Sequence, residues 1–215
     1  VAQPAIGAVS AAMFRILERF GLSPDAAAGH SFGELAALWA AGWMDEATLH
    51  QLAVIRGRLM ASAGEAGGEA GTMLAVKAPL AALDNLIAEE RLDVVLANRN
   101  SPSQGVLSGS VAAIERAADV CKARKFRAIR LPVSAAFHSP LVAAAQAPFA
   151  EALDQADFQP TAIPVYANTT ARPYPSDPAA VRRNLGRHLL EPVNFLAEIE
   201  NLYADGTATF LEVGP

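Results

Sequence analysis

A chain of 215 residues that is 52% hydrophobic and only 18% charged can bury a sizeable core, as one large domain or as a domain with a smaller insert. Its net charge of −5 argues against general nucleic-acid binding, which needs a basic face. No apolar run reaches the ~18 residues of a membrane span, so no membrane contact is expected. One cysteine, Cys121, excludes an internal disulfide; with no leader visible, a reducing, cytoplasmic setting is expected.

In chain order, Ile6, Val9, Ala12, Met13, Ile16, Leu17 and Phe20 recur at helical spacing and predict a helix over residues 4–20, closed by Gly21. A second helix is predicted over 32–41, stopping at Gly42. A third opens at Asp45, a capping residue, and runs to residue 62. A glycine-rich linker over 64–71 follows, and the pattern then changes. Residues 73–77 read as a strand, 79–90 as a helix, 92–97 and 105–108 as strands joined by a turn over 98–104, 111–125 as a helix and 127–133 as a strand. That β-α-β-β-α-β order is the split, ferredoxin-like one, read as a small subdomain over 72–133 inserted between 1–71 and 134–215. A helix from Pro140, a strand over 163–167, a proline-rich loop over 172–178, helices over 179–190 and 192–205 and a strand over 209–212 complete the chain. Alternating helices and strands make the larger part an α/β layer.

Three places carry chemistry. Gly29-His30-Ser31-Phe32-Gly33-Glu34 holds a Gly-x-Ser-x-Gly pattern, the elbow that exposes a nucleophilic serine between strand and helix. The same residues also read as a capping box, with Ser31 bonding the Glu34 N–H. Arg56 shares an apolar helix stripe with Leu49, Leu52, Ala53, Leu59 and Met60. A guanidinium there calls for a core carboxylate, an escape to the rim, or a substrate carboxylate gripped by its fork. His138 stands where a strand ends and a helix begins, before Ser139 as cap and Pro140 as first helical residue. It is either a satisfied ring near a cap or a general base. The four histidines His30, His50, His138 and His188 are scattered, which gives no metal-ligand spacing. A basic run, Lys122, Arg124, Lys125, Arg127 and Arg130, reads either as a solvated face or as a landing site for an acidic partner or a polyphosphate.

Taken together, these motifs resemble the malonyl-CoA:acyl-carrier-protein transacylases and the acyltransferase domains of polyketide and polyunsaturated fatty acid synthases. The resemblance runs from Gln3-Pro4-Ala5 to Glu212-Val213-Gly214-Pro215. It includes the serine motif at 29–34, Arg56-Gly57-Arg58-Leu59-Met60, Asn100-Ser101-Pro102-Ser103-Gln104 with Ser108-Gly109, Ala136-Phe137-His138-Ser139, and Glu191-Pro192-Val193-Asn194-Phe195. Phe32 and the run from Leu35 to Gly42 resemble most the iterative enediyne and polyunsaturated fatty acid type.

The resemblance implies an α/β-hydrolase-like larger subdomain with a parallel sheet, the small subdomain, and a two-step acyl transfer without bound cofactor. A malonyl group would pass from the coenzyme A thioester to Ser31, then to the phosphopantetheine thiol of an acyl carrier protein. It implies Ser31 as nucleophile, His138 as base, the Phe32 N–H in the oxyanion hole and a carbonyl near His188 orienting His138. Arg56, Phe137, Gln3 and Asn100 would be substrate-binding. Phenylalanine at 137 resembles malonyl-selective members, whereas methylmalonyl-selective members carry serine; alanine at 135, rather than histidine, departs from the commonest malonyl pattern. Other domains of a multidomain synthase are expected partners. The family's glutamine-bearing first strand is absent from the 30 residues before Ser31, so that segment is expected on preceding or separate chain. Two rival readings are a serine thioesterase of α/β-hydrolase type and a non-catalytic module that docks a carrier protein. The first expects its acid and then its histidine late in the chain, and gives Arg56 no task.

Overall fold

The computed structural model describes residues 2–66, 71–133 and 135–215. Helix α1 (Gln3–Arg19) packs on α2 (Gly33–Ala40) and α3 (Glu46–Ala66). The side chain of Asp45 starts α3 by accepting from the Thr48 N–H at 2.7 Å. α3 continues to Ala66, into the stretch that its glycines mark as linker; residues 67–70 of that linker lie outside the described residues.

Four strands follow, β1 (Thr72–Lys77), β2 (Val94–Ser101), β3 (Gln104–Gly109) and β4 (Arg127–Arg130), with α4 (Leu80–Glu89) and α5 (Val111–Ala123) between them. They form one antiparallel sheet in the order β2-β3-β1-β4. Strand alternation sends Leu74, Val76, Leu96 and Leu107 to one face, where Leu83, Leu86, Ile114 and Cys121 of the two helices cover them. The other face carries Met73, Ala97 and Val106, packed with Phe137. Phe137 also touches the main core, so it sits between the sheet and the helical remainder. On the edge, Arg124 of the basic run is held at 2.9 Å by both Glu89 and Glu90, which leaves less free positive charge than the sequence suggests.

The main core joins α1, α2 and α3 to a 3-10 helix (Pro140–Ala145), α6 (Gln146–Asp154) and α7 (Pro178–His188). Ser139 caps the 3-10 helix through the Leu141 N–H, and Asp177 caps α7 through Ala179 and Ala180. The last helix, α8 (Phe195–Ala204), starts three residues later than 192 because Val193 is taken by the sheet. The Val193 N–H donates to Ala97 O at 2.8 Å, and the Arg99 N–H donates to Val193 O at 2.9 Å.

The expected parallel sheet of the larger part is reduced, among the described residues, to single bridges. Ala27 pairs with Val165, and Asn98 with Val193. Within 163–167, Val165 bridges Ala27 and Tyr166 bridges Pro173, but no ladder forms among the described residues, because the chain bends at Asp25 and Ala26 on one side of Ala27 and turns into the elbow on the other. Residues 209–212, expected as a strand, have no ladder partner among the described residues, and Phe210 and Leu211 are exposed.

The small core behind the sheet is thin, and Leu83 is its fully buried centre. Leu83→Ala should cost about 2–5 kcal/mol of folding stability, read as a lower urea midpoint. An unchanged midpoint would mean that α4 does not carry the sheet.

Candidate active site

Ser31 lies at the mouth of a turn that its neighbours make very tight. A Cβ built on Gly29 would stand 2.1 Å from the Gly33 carbonyl carbon and oxygen, so only glycine fits there. Ser31 itself has a left-handed backbone, φ 52°, which a residue with a side chain adopts only when its surroundings impose it. The capping box does not form. The residue flanking α2 is Phe32, no side chain caps the helix, and the Ser31 hydroxyl is turned away toward His138.

The Ser31 Oγ is 2.8 Å from His138 Nε2. His138 Nδ1 faces two carbonyl oxygens, those of His188 at 3.0 Å and Glu191 at 3.1 Å. Carbonyls only accept, so the ring proton belongs on Nδ1, and Nε2 is left bare to accept from the serine. Among the described residues no carboxylate takes part in orienting this imidazole. Burial, and next the charge of Arg56, hold its pKa down to about 3, so the ring is neutral at ordinary pH.

Arg56 is 2% exposed, and its Nη2 donates to Ser31 Oγ at 3.2 Å. Among the described residues no carboxylate lies within ion-pair distance of it. Burial lowers its pKa to about 10, which still leaves it charged; Glu34 opposes that shift from farther away. A buried cation beside a hydroxyl, with no adjacent counter-ion, is an arrangement that suits an anionic ligand. The Phe32 N–H, at the start of α2, has no acceptor among the described residues.

The remaining expected residues are placed as follows. Phe137 precedes His138 and is half-buried between the two cores. Asn100 is engaged through its Oδ1, which accepts from His30 Nε2 at 2.7 Å and ties the β2–β3 turn to the elbow. Gln3 is outside this cluster of hydrogen bonds. It opens α1 one turn before Gly7, whose Cβ position lies 3.1 Å from the Phe32 ring, and its Oε1 is buried without a partner. Among the described residues no group of three or more His, Cys, Asp or Glu is placed to hold a metal ion.

A buried polar layer beneath the elbow was not foreseen. Glu34 accepts from the Tyr174 hydroxyl and from the Asn168 N–H, and lies 3.5 Å from His188 Nε2. Burial lifts Glu34 to about 7. Asn168 accepts from the Ser31 N–H at 2.7 Å and donates to Glu198 at 2.9 Å. Glu34 reads in sequence as the acid of a capping box and Glu198 as an ordinary helix acid; the available signal is that Glu34 shares its helix face with Ala37, Leu38 and Ala41, and Glu198 with Phe195 and Leu202. Tyr174 and Asn168 carry no sequence signal, since they lie in a proline-rich loop and an unladdered segment.

Burial, then the charge of Glu34, raises Glu198 to about 9. The folded chain therefore keeps this proton where the unfolded chain has already lost it, above the ordinary 4.5. Between those values the unfolded state binds fewer protons, so this group's stability contribution declines as pH rises. Glu198→Gln removes the titration and keeps an acceptor for Asn168. The variant should be more stable than wild type by about 2–5 kcal/mol at pH 8, with the gap closing toward pH 4.5, as followed by urea denaturation. Parallel pH profiles for the two chains would disprove the protonated state.

The whole chain, residues 1–215, matches the model of the acyl transferase domain family. It is 36% identical over 215 residues to a polyunsaturated fatty acid synthase polypeptide of Thraustochytrium sp., covering 99% of this chain and 7% of that protein. It is 36% identical over 217 residues to the malonyl CoA-acyl carrier protein transacylase of Bacillus subtilis, covering 100% of this chain and 68% of that one. A solved malonyl-transacylase in complex with its type II polyketide synthase acyl carrier protein superposes with a TM-score of 0.91 at 34% identity, over 100% of this chain and 70% of that one. The chain thus spans a small part of the multidomain relative and about two thirds of the free-standing ones. With its mixed α/β fold and small antiparallel sheet, it belongs to the acyl transferase domain family.

Proposed function

We propose that the chain carries a malonyl-CoA:acyl-carrier-protein acyltransferase site. The observation that carries the reading is Arg56: a buried guanidinium with no adjacent carboxylate among the described residues, 3.2 Å from the Ser31 hydroxyl. A hydrolase of simple acyl esters has no use for it. A malonyl group presents both a carboxylate for the fork and, two bonds away, a thioester carbonyl for the serine.

In the first step Ser31 gives its proton to His138 Nε2 and attacks the thioester carbonyl. The oxyanion gathers at the Phe32 N–H, the carbon–sulfur bond breaks, and His138 returns the proton to the departing coenzyme A thiol. In the second step the carrier's phosphopantetheine thiol gives its proton to His138 and attacks the malonyl-Ser31 carbonyl; the ester carbon–oxygen bond breaks, and His138 returns the proton to Ser31 Oγ. The His188 and Glu191 carbonyls do the orienting that a carboxylate does in other serine enzymes. The malonyl carboxylate also neutralises Arg56, which removes one of the two main causes of the weak basicity of His138. The base therefore strengthens when the correct substrate is bound.

Residues 72–133 are proposed as the ferredoxin-like small subdomain and 1–71 with 134–215 as the catalytic, α/β-hydrolase-like one, a division supported by the separate cores. Gln3, on the α1 face that meets Phe32, and Asn100, on the turn held by His30, are proposed to border the acyl-thioester path. The proposed partners are an acyl carrier protein, as in the solved complex of a relative, and the other domains of a synthase, as in the multidomain relative.

Incubation with malonyl-CoA should add a malonyl mass to Ser31 and none to Ser31→Ala. Arg56→Ala should shift loading from malonyl toward acetyl groups, since the lost charge-assisted bonds are worth roughly 1.5–3 kcal/mol. An unchanged malonyl-to-acetyl ratio would remove the carboxylate role.

Phe137 is proposed to occupy the space that an α-methyl group needs. Malonyl-CoA should be preferred to methylmalonyl-CoA by about 10–200-fold, and Phe137→Ser should narrow the gap. Competition between the two esters, read by the mass of the Ser31 adduct, checks this; equal loading of wild type by both would refute the steric argument.

A further inference from the structure

The left-handed backbone of Ser31 must be held by something, since the conformation is disfavoured for a residue with a Cβ. The glycines on either side permit the turn but do not enforce it. The parallel pairing that leads into the turn ends at Ala27, whose N–H donates to Pro164 O and whose O accepts from Tyr166 N–H, both at 2.9 Å. Beyond that point the two backbones diverge, and one side chain bridges them.

That side chain is Asn168, fully buried. Its Oδ1 accepts from the Ser31 N–H at 2.7 Å and its Nδ2 donates to Gly29 O at 2.7 Å. A primary amide thus stands in for a peptide unit and continues the pairing across the elbow. The second N–H of the amide goes to Glu198 Oε2 at 2.9 Å, so its orientation is set from behind. The backbone of Asn168 is tied as well: its N–H donates to Glu34 at 3.3 Å and its O accepts from the Asn194 N–H at 2.9 Å. Three elements, α2, α8 and the segment before α8, converge on this one residue.

We infer that Asn168 is the positioning residue of the nucleophile: by clamping Gly29 O and Ser31 N–H together it fixes the left-handed turn that aims Ser31 Oγ at His138. It touches no substrate atom in this reading. It also occupies the Ser31 N–H, which leaves the Phe32 N–H as the open donor of the elbow. The inference rests on Ser31 being the nucleophile.

Two substitutions separate positioning from bulk stability. Asn168→Ala loses both halves of the clamp. Asn168→Asp keeps the shape and still accepts from Ser31, but it can donate to Gly29 O only when protonated. The titratable and charged groups around it are Glu34 on α2, Glu198 on α8, Tyr174, His188 on α7 and Arg56 on α3. The wild-type His138 is neutral throughout pH 5–8, but Glu34, lifted to about 7, titrates in that range, so each variant is read as a ratio to wild type at the same pH.

The experiment measures Ser31 phosphonylation by a fluorophosphonate, which needs neither coenzyme A nor carrier, alongside malonyl loading from malonyl-CoA. Both rates are scaled to the folded fraction from circular dichroism. Asn168→Ala is expected to slow both by about 10²-fold, the effect of a reacting group misplaced by ~1 Å, with KM for malonyl-CoA unchanged. Asn168→Asp should approach wild type at the acid end and fall toward the alanine variant as pH rises. Folded Asn168→Ala reacting within about threefold of wild type, or an aspartate variant whose rate relative to wild type ignores pH, would overturn the positioning role. Should Asn168→Ala not fold, the aspartate profile decides alone. Wild type labelled by neither reagent would instead overturn the nucleophile reading from which this one follows.

Discussion

The contact on which this molecule depends is the approach of Gly29 to Gly33. With a Cβ position only 2.1 Å from the Gly33 carbonyl, no other residue lets the chain reverse so sharply between Ala27 and α2. That reversal lifts the Ser31 hydroxyl out of the helix cap it would otherwise occupy and leaves the first N–H of the helix region open. Local strain, φ 52° at Ser31, is held in place by contacts from distant parts of the chain: Asn168 from one side and His138 from the other. His138 is itself left-handed, φ 56°, so both side chains of this hydrogen bond stand on backbone that the tertiary structure imposes.

The electrostatics of the site follow from burial. Arg56, Glu34 and His138 are all removed from water, and each is pushed toward its neutral form: Arg56 down to about 10, Glu34 up to about 7, His138 down to about 3. Glu34 sits beneath the elbow, too far from Arg56 to pair with it and near enough to keep it charged. Among the described residues the guanidinium is thereby left without an adjacent counter-ion. A direct Arg56–Glu34 ion pair would satisfy both groups and close the site to a carboxylate.

The small sheet is tied to the remainder at three points around this cluster. Phe137 wedges between the two cores, Val193 joins the edge strand β2, and Asn100 accepts from His30 within the serine motif. Each of these neighbours a member of the Ser31–His138 cluster in sequence: Phe137 precedes His138, His30 precedes Ser31, and Val193 follows closely on Glu191. A movement of the sheet against the helices would therefore be felt at both ends of the Ser31–His138 hydrogen bond.

Much was legible in the residues alone because it is written in local rules. The periodicity of α1 to α5, the caps at Asp45 and Ser139, and the glycine-serine-glycine spacing depend on near neighbours in the chain, and the triple of Ser31, Arg56 and His138 stood out because each breaks its own local pattern. What depended on distant partners was not legible. The strands expected over 163–167 and 209–212 have β character but no ladder, and a strand exists only with a neighbour to bond. α8 starts late because Val193 is claimed by β2, some ninety residues away in the chain. The sequence by itself determined which groups could react. Only the tertiary structure decided that Ser31 faces His138 rather than Glu34, that two carbonyls replace an orienting acid, and that Asn168 closes the elbow, because each is a contact between segments more than a hundred or some fifty residues apart.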